Sequence, residues 1–184
     1  MEMRYPVHQD TVKTMSTKDI YNNFHIDTLF VDGQLNMIYS HIDRVIVGGV
    51  IPTHESIKLD ADYKDIATDY FLERREVGII NIGGAGTITI DGESFALVKQ
   101  DGLYIGKGKQ NVQFASDDAS TPAQYYLFSA PSHADYPTTH MKLADAEPVN
   151  LGDVEHSNTR TIYKYIHPDG VKSSQVVMGM TLLQ

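Results

Sequence analysis

Between Val77 and Phe128 the chain is a succession of short apolar runs, β-branched or aromatic, cut by glycine turns. Val77 to Ile82 is broken by Gly83-Gly84-Ala85-Gly86. Thr87-Ile88-Thr89-Ile90 then alternates strictly, so Ile88 and Ile90 fall on one side of a strand. Asp91-Gly92 is a hairpin dipeptide, Phe95 and Leu97 resume the alternation, and Asp101-Gly102 turns again. Leu103-Tyr104-Ile105, Val112-Gln113-Phe114 and Tyr125-Tyr126-Leu127-Phe128 supply three more strands. Many short strands, frequent glycine turns and few helical stretches define an all-β chain, a sandwich or barrel.

The flanks are less regular. Ser16-Thr17-Lys18-Asp19-Ile20 reads as a helix start, a hydroxyl cap followed by an acid in the first turn, with Ile20 and Phe24 on one face. Leu29-Phe30-Val31 reads as a strand ending at Asp32-Gly33, Leu35 to Tyr39 as a second, and Val45-Ile46-Val47 as a third stopped by Gly48-Gly49. Residues 55–69 are polar and irregular, with room for a helical turn. Residues 131–158, rich in Pro, His and acids, read as a connector, and Thr161 to Ile166 and Gln175 to Leu183 as strands.

Charge narrows the function classes. Twenty-four acidic against fifteen basic residues leave a formal net charge of −9. That balance argues against nucleic acid, whose phosphates require clustered Lys and Arg. Zero Cys removes disulfides, thiolate nucleophiles and cysteine-based metal sites. No apolar run approaches bilayer length and no signal peptide is visible, so the expectation is a cytoplasmic protein without membrane contact.

Two motif-like stretches fail on mechanism. Gly83-Gly84-Ala85-Gly86 follows a strand, but a phosphate-binding loop must open a helix whose N–H groups face the phosphate, and this one opens a strand. His54-Glu55 begins like a zincin helix, but its second histidine position is Lys58. The eight histidines are scattered and none forms His-x-His. Two stretches are denser in chemistry. Tyr39-Ser40-His41-Ile42-Asp43-Arg44, read as a strand, puts His41 and Asp43 on one face, an arrangement that can orient an imidazole for proton transfer. A solvated strand end is the plainer alternative. Glu73-Arg74-Arg75-Glu76 lies against the core strand beginning at Val77. Its guanidinium groups could grip a carboxylate, or form ion pairs between strands or subunits. The candidate catalytic residues are therefore His41, Asp43 and Glu73, and the candidate substrate-binding residues Arg44 and Arg74.

Long stretches of the chain resemble one family. YSHIDRVIVGGVIPT (Tyr39 to Thr53), YFLERREVGIINIGGAGTITIDG (Tyr70 to Gly92) and LYIGKG (Leu103 to Gly108) are similar to the 5-keto-4-deoxyuronate isomerases, the 4-deoxy-L-threo-5-hexosulose-uronate ketol-isomerases. The likeness continues through Tyr136-Pro137-Thr138 to Met178-Gly179-Met180. It implies a two-cupin protein assembled as a homo-hexamer that acts on a small keto-uronate in pectin breakdown. The implied reaction is a zinc-dependent aldose–ketose isomerisation, in which a Lewis acid can polarise the carbonyl. The family's zinc ligands lie on a C-terminal His-x-His strand, with a Glu and a later His, which is expected beyond residue 184. No ligand is carried over. An echo of the motif survives at Tyr70-Phe71-Leu72-Glu73-Arg74-Arg75-Glu76-Val77, where the ligand positions become Tyr70, Leu72 and Val77, side chains unable to form a normal zinc shell.

The resemblance thus implies a degenerate N-terminal cupin over residues 1–135. Residues 136–184 would be a connector and the first strands toward a second cupin. By itself the chain is expected to be inactive or nearly so. The alternatives are a metal-free module for assembly, and a cupin that binds sugar acids through Arg44, Arg74 or Arg75 without turnover.

Overall fold

The computed structural model describes residues 1–183. In chain order, β1 (Glu2–Arg4), a one-turn helix α1 (Gln9–Val12) and α2 (Thr17–Phe24) precede β2 (Leu35–Ser40) and β3 (Val45–Val50). Next, β4 (Ile57–Lys58) and α3 (Tyr63–Ile66) lead into β5 (Arg75–Asn81), β6 (Gly86–Ile90), β7 (Glu93–Leu97), β8 (Gly102–Ile105), β9 (Val112–Ser116) and β10 (Tyr125–Pro131). The rest comprises β11 (Thr139–Met141), a 3-10 turn (Leu143–Asp145), β12 (Pro148–Leu151), β13 (Arg160–Ile166) and β14 (Met178–Leu183).

These strands make three sheets. One runs β1-β2-β3-β10-β5-β8-β11, the second β4-β9-β6-β7, and the third β12-β13-β14. Alternation along each strand decides which layer it joins. On β5, Val77 and Ile79 face inward and pack with Ile88 and Ile90 of β6 and Phe114 of β9. This apolar filling between the first two sheets is the core of an all-β, cupin-like sandwich, as expected, and Ile88 and Ile90 share its inner face. The opposite side of the large sheet presents Ile80 and Tyr104, which pack under Tyr165, Ile166, Val176 and Met178 from the third sheet and its leading strap. A Cβ on Gly78 would lie 2.7 Å from Met178 Sδ and 2.8 Å from Ile166 Cδ1, so glycine there permits that close approach.

Three expectations about the flanks are corrected. Leu29-Phe30-Val31 is not a strand: the segment crosses β3 without joining its ladder. Gly48-Gly49 does not stop β3, which continues to Val50. The same contact explains both, because a Cβ on Gly49 would sit 2.8 Å from the Leu29 carbonyl and 3.0 Å from the Phe30 ring. The glycine is there for what passes over it. Residues 131–158 also hold more order than a connector, since they contain β11 and β12, both short edge strands whose polar composition hides them.

The expected helix start is α2. Ser16 caps it, its hydroxyl accepting from the Asp19 N–H at 3.2 Å while Asp19 Oδ2 accepts from the Ser16 N–H at 3.0 Å. The Ser16 hydroxyl first, and its N–H second, hold the Asp19 carboxyl below the usual carboxylate range. A carboxyl lowered in the folded state stabilises above its unfolded pKa and loses that contribution as pH falls through the lowered value. Acid titration should therefore fray α2 from its first turn, read as loss of helical Cα shifts over residues 17–20 while the strands keep theirs. Unchanged shifts through the carboxylate range would refute the cap's role.

Candidate functional site

The charged end of β5 is where the singled-out residues meet the fold. β2 ends at Ser40 and β3 resumes at Val45, with Ser40 paired to Val45. His41 to Arg44 are therefore the turn of a hairpin, with Asp43 and Arg44 both at φ 56°. The expectation that His41 and Asp43 share a strand face is overturned, because the ladder closes at Ser40, before either residue. His41 instead stacks on Tyr5, with ring centroids 4.4 Å apart and planes 10° apart, and its N–H donates to the Arg4 carbonyl at 2.9 Å. All four turn residues are exposed.

Glu73 and Arg74 lie in the bend leading into β5. Glu73 Oε2 accepts from the Asp69 N–H at 2.8 Å, and Oε1 lies 3.4 Å from Arg74 Nε. Arg74 is exposed and touches no residue of the hairpin turn through any hydrogen bond or ion pair among the described residues. The five candidates thus divide between the exposed hairpin turn and the bend before β5 rather than forming one constellation.

The neighbouring residues Arg75 and Glu76 make the buried contacts. Arg75 faces inward at the end of the core. Its Nε donates to Ser129 Oγ at 3.1 Å, and its Nη2 to the carbonyls of Ser129 at 2.9 Å and Arg44 at 2.7 Å. The guanidinium carbon lies 5.7 Å from the Tyr39 ring centroid. Burial pushes this guanidinium down to about 10, so it stays charged at neutral pH. Arg44 therefore contributes its backbone oxygen, which pins the hairpin turn to β5.

Glu76 points the other way and is fully buried. Its carboxylate accepts from the N–H groups of Ser174, Gln175 and Val176 at 2.8, 2.6 and 2.8 Å. It also accepts from the Tyr104 hydroxyl at 2.7 Å and the Ser132 hydroxyl at 3.3 Å. Burial first, and Glu76 second, raise the Tyr104 phenol well above its ordinary value, so it remains a donor. The signal in the sequence was the run of charge against a core strand, where a charge that close must be paired or bonded.

The interior does not fit zinc. Leu72 and Val77 are buried among apolar side chains and Tyr70 is half-buried. Among the described residues no three His, Asp or Glu come together as a metal site. Isopropyl and isobutyl groups supply no lone pair, so Leu72 and Val77 cannot serve as zinc ligands.

A model of the KduI/IolB family matches residues 25–184. A relative from Caldicellulosiruptor bescii, named 4-deoxy-L-threo-5-hexosulose-uronate ketol-isomerase, is 50% identical over 184 residues, all of this chain and 66% of the relative. One of the same name from Enterobacter sp. is 46% identical over the same shares. The chain thus spans 66% of the length of these relatives. Among solved structures, an IolB-like protein from Salmonella typhimurium LT2 superposes with a TM-score of 0.51 at 13% identity, covering 65% of this chain and 43% of that one. That likeness concerns the fold alone. No helix among the described residues is long and apolar enough to cross a membrane.

Proposed function

This chain belongs to the KduI/IolB family, and from that premise we propose that it is the scaffold part of a uronate ketol-isomerase. The reaction is conversion of 5-dehydro-4-deoxy-D-glucuronate to 3-deoxy-D-glycero-2,5-hexodiulosonate, in the cytoplasmic breakdown of pectin and related uronates. The observation that carries this reading is 50% identity, sustained over the whole chain, to a relative of that name. The apolar side chains at Leu72 and Val77 support the scaffold assignment, because the positions that echo the ligand motif supply no metal ligand here. Zinc belongs to the proposal only through the family likeness, with ligands outside the described residues. The same holds for division into a cupin up to residue 135 and, after it, a connector with the first strands toward a second cupin, and for hexameric assembly. In this reading His41, Asp43, Arg44, Glu73 and Arg74, at the hairpin turn and the bend before β5, serve contacts between subunits.

The test is a hybrid in which this chain is joined, at the matched position, to the remaining third of the Caldicellulosiruptor bescii relative. The expected hybrid binds zinc and turns over the keto-uronate, while the 184-residue chain alone does not. A folded, zinc-loaded hybrid without turnover overturns the isomerase reading. Turnover by the isolated chain overturns the scaffold assignment. Uronate binding that depends on Arg44, Arg74 or Arg75, without turnover by the hybrid, would select the sugar-acid module instead.

A further inference from the structure

On the outer side of the sandwich, away from the Arg75–Glu76 step, a cavity of about 800 Å³ opens where the β7–β8 turn meets the segment after β11. Asp101 and His140 form its back. Asp101 is buried, and its carboxylate accepts from the N–H groups of Val98 at 3.2 Å and Leu143 at 3.3 Å. His140 Nε2 lies 3.3 Å from Asp101 Oδ2. A carboxylate accepting from Nε2–H fixes the imidazole tautomer and leaves Nδ1 with a lone pair. Nδ1 has no partner among the described residues, nor is it sealed away from solvent.

The charges around this pair are unusual for an acidic chain. Lys99 and Lys142 both border the cavity, are exposed, and have no ion-pair partner among the described residues. Among the described residues Asp101 is the only acid lining the cavity, and its oxygens are already engaged. The remaining wall is mostly apolar, with Val98, Leu143 and Pro148 beside Tyr163. A concave apolar wall with a few convergent polar groups is the general form of a small-ligand site. Two unpaired ammonium groups set the sign of the ligand.

We propose that this cavity binds a small hydroxylated carboxylate. The carboxylate lies between Lys99 and Lys142, a hydroxyl donates to His140 Nδ1, and the carbon skeleton rests on the apolar wall. The proposal goes beyond the isomerase reading and does not depend on it, since binding here involves no metal and no turnover.

Calorimetric titration of the 184-residue chain at constant ionic strength tests it, with D-glucuronate, D-glucose and acetate as probes. Glucuronate is expected to bind one site with millimolar affinity, and to shift the imidazole resonances of His140. Glucose lacks the charge and acetate the hydroxyls, so each is expected to bind at least about tenfold more weakly. The double variant Lys99→Ala, Lys142→Ala, at two exposed positions, is expected to weaken glucuronate about tenfold with the melting temperature unchanged. Failure of glucuronate to bind overturns the proposal, as does equal binding of glucose or acetate. So does an unaltered affinity in the double variant. Should that variant melt early, the His140 resonances of the unsubstituted chain decide alone, and their failure to move with glucuronate overturns the site.

Discussion

Glu76→Ala is expected to release the three-stranded sheet from the sandwich and to cost about 3–5 kcal/mol of stability, near the cost of breaking a buried polar network. The carboxylate is the common acceptor for three consecutive N–H groups of the 174–176 strap and for the Tyr104 hydroxyl. Alanine leaves those donors facing a void lined by Val176 and Tyr104, both fully buried. Each orphaned donor costs about 1–3 kcal/mol if water cannot reach it. Glu76→Gln keeps one acceptor oxygen at nearly the same place and should fall between. Urea unfolding gives the magnitude, and amide exchange gives the location, with protection lost first at residues 174–176. A loss below about 1 kcal/mol, within the range of an ordinary surface change, would mean the strap is held by its apolar contacts alone.

Asn81→Ala is expected to cost about 2–4 kcal/mol by the same reasoning at the other end of β5. The Asn81 side chain is fully buried and uses both ends. Its Nδ2 donates to the carbonyls of Gly84 at 2.7 Å and Leu97 at 3.1 Å. Its Oδ1 accepts from the N–H groups of Gly83 at 3.1 Å and Gln124 at 3.3 Å. One amide thus joins the ends of β5 and β7, the glycine turn and the entry to β10. Asn81→Asp keeps the acceptor and loses both donations, so it should not rescue. Thermal unfolding of the three proteins side by side decides it. An alanine variant that melts with the parent would show that the turn is organised by its backbone alone.

How much of this could be read beforehand depends on where each residue type carries its information. The strands from β5 to β10 were legible because burial on one face imposes alternation, as Ile88 and Ile90 show. The capped start of α2 was legible because hydroxyl and acid at that spacing have a specific local use. The hairpin turn at His41 to Arg44 was not, since Ile42 between polar neighbours mimics strand alternation and only the pairing of Ser40 with Val45 reveals the turn. Gly48-Gly49 misled for a related reason: a glycine needed for close approach looks identical to one needed for a turn. At the charged run, proximity to the core marked the right place but not the right members. Glu73 and Arg74 fall in the bend before β5, while the strand phase turns Arg75 inward and Glu76 outward into the strap. The Asp101–His140 pair joins residues 39 positions apart, a juxtaposition that spacing cannot announce.

The strap's attachment to Glu76 has a consequence for the order of assembly. Its three hydrogen bonds close loops of 98, 99 and 100 residues. Contacts at such separation form late, because the entropy of closing the loop must be met before they stabilise anything. During synthesis the strands through β10 emerge well before residues 174–176, with a side of Gly78, Ile80 and Tyr104 still bare. For that interval the chain carries an apolar sheet face and a Glu76 carboxylate that still lacks the three N–H donors of the strap. The growing polypeptide is most prone to aggregate there, and co-translational chaperone capture should peak between emergence of β10 and of β14.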